Sequence, residues 1–80
     1  MATTTALAAA AAKTISIKVN GEAQELPAPI TVAGLLARIG LDTRKVAVER
    51  NLEIVPRSTY AGTALAAGDA LEIVHFIGGG

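Results

Sequence analysis

The sequence predicts an α+β domain in which a mixed sheet of four to five strands carries one main helix on one face. Three observations predict it. Ile15, Ile17 and Val19 alternate with Ser16 and Lys18 and run into Asn20-Gly21, the signature of a hairpin. Val32, Leu35, Leu36 and Ile39 then fall at i, i+3, i+4 and i+7, one apolar stripe on a helix. Two further stretches, "KVAVERNLEIVPR" and "ALEIVHFI", carry the apolar runs of the remaining strands.

The chain begins with MATTTALAAAAA, Ala/Thr low complexity with no charge and no hydrophobic period. Residues 1–13 are therefore expected to form a disordered extension ahead of a domain over residues 14–77. No basic residue precedes Leu7, which argues against a secretory signal, and the stretch lacks the arginine and serine of a transit peptide. No apolar run approaches membrane-spanning length, so no membrane partner is expected.

The first strand ends at Asn20-Gly21, where both residues tolerate the positive φ of a tight turn. The second runs from Glu22 to Leu26, and Pro27 and Pro29 end it because neither can donate to a ladder. Thr31 stands where a helix N-cap belongs, and Gly40 follows the last apolar position as the C′ residue. The helix is about two turns long, and its stripe must pack on a sheet. Two strands then flank Arg50-Asn51, with Val46 and Val48 in the first, Ile54-Val55 in the second and Pro56 closing it. "STYAGTAL" reads as loop or a single helical turn, Gly68-Asp69 as a turn, and the last strand follows. A hairpin, a helix and then two or three strands is the order of a β-grasp roll.

Composition narrows the chemistry. The 80 residues contain no cysteine, which excludes disulfides, thiolate metal sites and a cysteine nucleophile. Seven basic residues balance seven acidic ones with no basic cluster and few aromatics, so nucleic acid is not an expected partner. His75 is the one histidine and stands in a strand with no carboxylate spaced to orient it; it reads as a structural or edge residue. Arg44, Arg50 and Arg57 read most simply as solvated charges, with guidance of an acidic partner surface as the second reading. No catalytic and no metal-ligating residues are expected.

The last strand runs into Gly78, Gly79 and Gly80. Taken alone, three glycines can be a frayed end or a cloning scar. Placed after the last strand of this fold they suit a carrier: Ile77 to Gly80 extend about 13–14 Å, and a peptide without side chains enters a channel that a Cβ would block. The Gly80 carboxylate is a poor acyl donor until it is activated, and nothing in the chain binds nucleotide phosphates or offers a nucleophile beside a base. The chain is thus read as a substrate or carrier, and the activating enzyme as a separate partner.

The last strand also divides by face. Leu71 and Ile73 point one way, and Glu72, Val74 and Phe76 the other. Val74 and Phe76 either form an apolar partner-docking spot on the open sheet face or are covered by the loop around Tyr60.

From Ile15 to Gly80 the chain resembles the thiamine-pathway sulfur carriers, the ThiS type of ubiquitin-like β-grasp protein. The matching pieces are "ISIKVNGE", "TVAGLLARIGLD", "VAVERNLEIVPRS" and "GDALEIVHFIGGG". The resemblance implies that a ThiF-type adenylyltransferase uses ATP and Mg²⁺ to adenylate the Gly80 carboxylate. Sulfur from a cysteine desulfurase then displaces AMP and leaves a covalent thiocarboxylate on Gly80. A ThiG-type thiazole synthase takes that sulfur, with Gly78 and Gly79 lying in the partner active sites. The chain itself would bind no cofactor, and its expected location is cytoplasmic. A MoaD-type carrier subunit of molybdopterin synthase shares fold, tail and chemistry and is the second reading. Conjugation of Gly80 to lysines and a plain β-grasp binding module are the others.

Overall fold

A computed structural model describes residues 13–76. The Ala/Thr extension up to residue 12, and Ile77, Gly78, Gly79 and Gly80, lie outside the described residues. The elements are β1 (Thr14–Val19), β2 (Glu22–Pro27), α1 (Val32–Arg38), β3 (Val46–Arg50), β4 (Glu53–Val55) and β5 (Ala70–His75), with 3₁₀ turns at Thr43–Lys45 and Arg57–Gly62. They form a five-stranded sheet in the order β2-β1-β5-β3-β4. β5 lies between β1, to which it is parallel, and β3, to which it is antiparallel. This is the mixed sheet with one main helix on one face that the sequence predicts, a ubiquitin-like β-grasp.

The β1–β2 turn has Asn20 at φ 51° and Gly21 at φ 86°. Both central residues are left-handed, the geometry that matches the right-handed twist of the flanking strands. β2 extends one residue past the expected Leu26, through Pro27. The reason is register. The Ala28 N–H donates to the Lys13 carbonyl (3.0 Å), so the neighbouring Thr14–Pro27 pair is a non-hydrogen-bonded one. The nitrogen of Pro27 faces away from β1 on an edge strand, and the ladder loses nothing.

Thr31 caps α1 as expected, its hydroxyl accepting from the Gly34 N–H (3.1 Å). At the other end the Gly40 N–H donates to the Ala37 carbonyl (3.2 Å) and the Leu41 N–H to the Leu36 carbonyl (2.9 Å). Those two bonds make a Schellman motif, and Gly40 at φ 79° is the residue that permits it. The helical stripe buries Val32, Leu35 and Leu36 completely against Ile17, Leu26, Val46, Val48 and Leu71 of the sheet. Each fully buried leucine stabilises the fold by about 1.5–3 kcal/mol relative to leaving it in water.

The segment read as loop or a single turn is a 3₁₀ helix that starts already at Arg57. It carries Tyr60 into the core, where the hydroxyl donates to the Val46 carbonyl (3.3 Å). Tyr60 therefore packs on the helix side of the sheet, and its ring does not cover Val74 and Phe76.

Candidate functional site

The described part of the candidate site is the C-terminal end of β5. Two asparagine turns hold that strand. In the β3–β4 turn, where Asn51 and Leu52 have φ 52° and 71°, the Asn51 N–H donates to the Ala70 carbonyl (2.8 Å). The Asn51 Oδ1 accepts from the Ala70 N–H (2.9 Å). The side chain completes the ladder where the backbone of β3 turns away.

Asn20 does the same on the other side. β1 pairs with β5 only at Lys18–Ala70 and Val19–Leu71, after which the hairpin leaves the sheet. The Asn20 Oδ1 then accepts from the Ile73 N–H (2.7 Å), and its Nδ2 donates to the Ile73 carbonyl (3.2 Å). One side-chain amide extends the parallel ladder by a residue. Sequence reading found Asn20 as a turn residue, but its tie to Ile73 spans 53 positions and depends on strand order.

Asp69, read as a turn residue, is a buried hub at the start of β5. Its carboxylate accepts from the Ala66 N–H (2.8 Å), from Asn51 Nδ2 (3.0 Å) and from Arg50 Nε (2.9 Å). Burial pushes its pKa up, but the Ala66, Asn51 and Arg50 donors outweigh that and hold it below the usual carboxylate range. Arg50 is accordingly a half-buried ion-pair partner and not a solvated charge. Arg44 fits the solvated reading: it pairs with Asp42 (3.1 Å) on the surface, and its side-chain and backbone hydrogen bonds lower the Asp42 pKa.

Beyond the pinned start, β5 shows two faces. Leu71 is buried and Ile73 half-buried on the helix side, whereas Val74 is 59% and Phe76 55% exposed on the open side. The Phe76 N–H still donates to the Lys45 carbonyl (2.9 Å), so the strand's pairing continues to the last described residue. The Arg57 guanidinium stands 5.8 Å from the centre of the Phe76 ring, a cation–π distance. Val74 and Phe76 are thus brought together on the open face, with Arg57 added. Arg57 had a weak signal in the sequence, a charge directly after the strand-closing Pro56.

Leu52 and Ile54 are also exposed, at 90% and 70%. His75 is exposed at the end of the central strand β5, where it pairs with Val46 of β3. Among the described residues no three His, Asp or Glu side chains lie close enough to hold a metal ion. No helix among them is long and apolar enough to cross a membrane. The geometry offers a strand pinned from Asp69 to Ile73, with an exposed apolar spot at its end, and the predicted Gly78, Gly79 and Gly80 follow beyond the described residues.

The chain matches the ThiS family over residues 17–80. A thiazole synthase of Paramagnetospirillum magneticum is 58% identical over 66 residues, covering 82% of this chain and 20% of that protein. The sulfur carrier protein ThiS of Bacillus subtilis is 46% identical over 50 residues, 62% of this chain and 76% of the relative. The crystal structure of a thiamine biosynthesis protein (ThiS) of Geobacter metallireducens superposes with a TM-score of 0.71 at 30% identity, covering 82% of this chain and 100% of that one. The chain spans about 20% of the length of the thiazole synthases it matches.

Proposed function

Because the chain belongs to the ThiS family, we propose that it carries sulfur for the thiazole of thiamine on the carboxylate of Gly80. The observation that carries this reading is the end of β5. Asn20, Asn51 and Asp69 fix the central strand, and the exposed Phe76 leads directly into Ile77-Gly78-Gly79-Gly80.

In this reading a ThiF-type enzyme with ATP and Mg²⁺ joins AMP to the Gly80 carboxylate and releases pyrophosphate. A persulfide charged by a cysteine desulfurase forms a C–S bond at the Gly80 carbonyl carbon as AMP leaves. A thiol then reduces the resulting acyl disulfide, forming a new disulfide with the persulfide carrier and leaving a thiocarboxylate. A ThiG-type thiazole synthase then accepts the sulfur, with Gly78 and Gly79 threaded into its active site. Glycine is the least hindered acyl group for both visits. Val74 and Phe76 dock the partners by burying apolar area that is exposed in the free chain. The chain supplies no catalytic group, and ATP binding falls to the activating enzyme, in the cytoplasm.

Intact mass tests the reading directly. After incubation with a ThiF-type adenylyltransferase proven on another carrier, ATP and a sulfur source, the protein should gain the difference between one sulfur and one oxygen, located at Gly80. A variant lacking Gly79 and Gly80 should fold normally and gain nothing. Loading of that truncated variant, or an unchanged mass of the full chain, would overturn the proposal.

A further inference from the structure

We infer that the open face of the sheet is self-complementary and that two copies of this chain associate through it. The helix covers only the other face, and the open one leaves Ile54, Val74 and Phe76 exposed. Along β5 the residues pointing to it are Glu72, Val74 and Phe76, evenly spaced about Val74. The registers place Glu49 opposite Glu72, Ala47 opposite Val74, and Ile54 on the far side of Glu49.

The two ends of this row differ in charge. At one end two carboxylates face each other across neighbouring strands. Among the described residues the ion pairs are Arg44–Asp42 and Arg50–Asp69, so neither glutamate has a cation within bonding distance. Like charges directly opposite in a ladder are destabilising. At the other end the Arg57 guanidinium lies over Phe76. Acid, apolar centre and cation succeed one another over about 13 Å, four residues of strand. Lys18, beside Ala70, stands a row further out than Glu72.

A two-fold axis in the plane between two facing sheets, crossing β5 at right angles through Val74, brings the complementary ends together. It sets Val74 against its own copy, and the Glu49–Glu72 end of each chain against the Phe76–Arg57 end of the other. Such an isologous contact uses one patch twice and closes as a dimer. The planar guanidinium can hydrogen-bond carboxylates in a fixed fork, which gives the repelling pair the counter-charge it lacks. The size of the patch sets the strength. Three strands by five residues is about 14 by 17 Å, well below the roughly 800 Å² per partner of a stable interface. The association is therefore weak, with a dissociation constant on the order of hundreds of micromolar.

The inference does not rest on sulfur carriage and is tested on the full chain alone. Amide spectra and sedimentation are followed from about 20 µM to about 1 mM, a range that brackets the expected constant. Shifts should move with concentration at Ala47, Glu49, Ile54, Glu72, Val74 and Phe76, and should shrink as salt is added. Glu72→Lys and Arg57→Glu should each weaken association about tenfold or more, since each sets like charges against each other. An equimolar mixture of the two variants should associate again, because positions 57 and 72 then carry opposite charges at both ends of the mixed dimer. Both positions are exposed, and each variant's own spectrum reports its folding. Wild-type spectra independent of concentration, or a mixture no more associated than its components, would overturn the inference. So would shifts at these residues that appear only when a ThiF-type enzyme is added, which would assign the face to that partner alone.

Discussion

Replacing Asn20 isolates the bond pair that extends the β1–β5 ladder. Its amide contributes two hydrogen bonds to Ile73, of 2.7 and 3.2 Å, both at solvent-accessible positions. Intramolecular hydrogen bonds contribute a net of about 0.5–1.5 kcal/mol each, and water can replace exposed ones, so together they stabilise by about 1–2 kcal/mol. Asn20→Gly removes them and leaves the φ of 51° unstrained, while freeing the unfolded chain for a further loss of about 0.4–1 kcal/mol. Asn20→Ala removes the same bonds and forces an alanine into the left-handed region at about 1–2 kcal/mol. Glycine should thus cost about 1.5–3 kcal/mol and alanine about 2–4 kcal/mol.

Urea unfolding measures both totals, and amide hydrogen exchange shows where they arise. Protection should fall first at Ile73, which loses its partner on that side. Asn20→Asp keeps an acceptor for the Ile73 N–H and should fall between wild type and glycine. If Asn20→Gly lost less than about 0.5 kcal/mol and left Ile73 as protected as in wild type, the side chain would not be part of the ladder.

Two further outcomes follow from the same geometry. The folded Asp69 carboxyl has a pKa below its ordinary value, so the unfolded chain binds the proton more tightly. Its contribution to stability is complete above the unfolded carboxylate pKa of about 4 and is lost as pH falls through the lower folded value. Asp69→Asn should flatten that part of the acid-unfolding curve, which circular dichroism against pH would show. Phe76→Glu should change the unfolding midpoint little, because the ring is half exposed, yet weaken binding of a ThiF-type partner about tenfold or more. Calorimetry of the wild type and the variant decides it, and a variant that unfolds instead would place Phe76 in the core.

The hairpin and the helix are legible in the sequence because each is local. Asn20-Gly21 states its own turn, and Thr31 through Gly40 carry cap, stripe and stop within ten residues. The β3–β4 turn is harder to read, since Leu52 adopts φ 71° where glycine is the usual signal. Asn51 gives the only local hint. The Arg50–Asp69 pair joins residues 19 apart across neighbouring strands, and no sequence period announces it. For the candidate site, alternation along β5 placed Val74 and Phe76 on one face but could not say whether that face was open. Tyr60 decides it. Its hydroxyl bonds the Val46 carbonyl on the other side of the sheet, and the ring is spent in the core.

The proposed self-association and the proposed partner docking draw on the same face, and their compatibility is a matter of numbers. With the chain at a tenth of the dimer's dissociation constant, mass action leaves roughly 15% of it in dimers. The apparent affinity for a partner then falls only by the free fraction, a change too small to matter for loading. A dimer as strong as a standard interface would instead withhold most of the carrier from its activating enzyme. The small apolar centre, two residues of β5 with Ala47 and Ile54 beside them, keeps the contact weak. The charges at its two ends fix only which arrangement of the copies is allowed, and a partner that covers Val74 and Phe76 displaces it by burying more area.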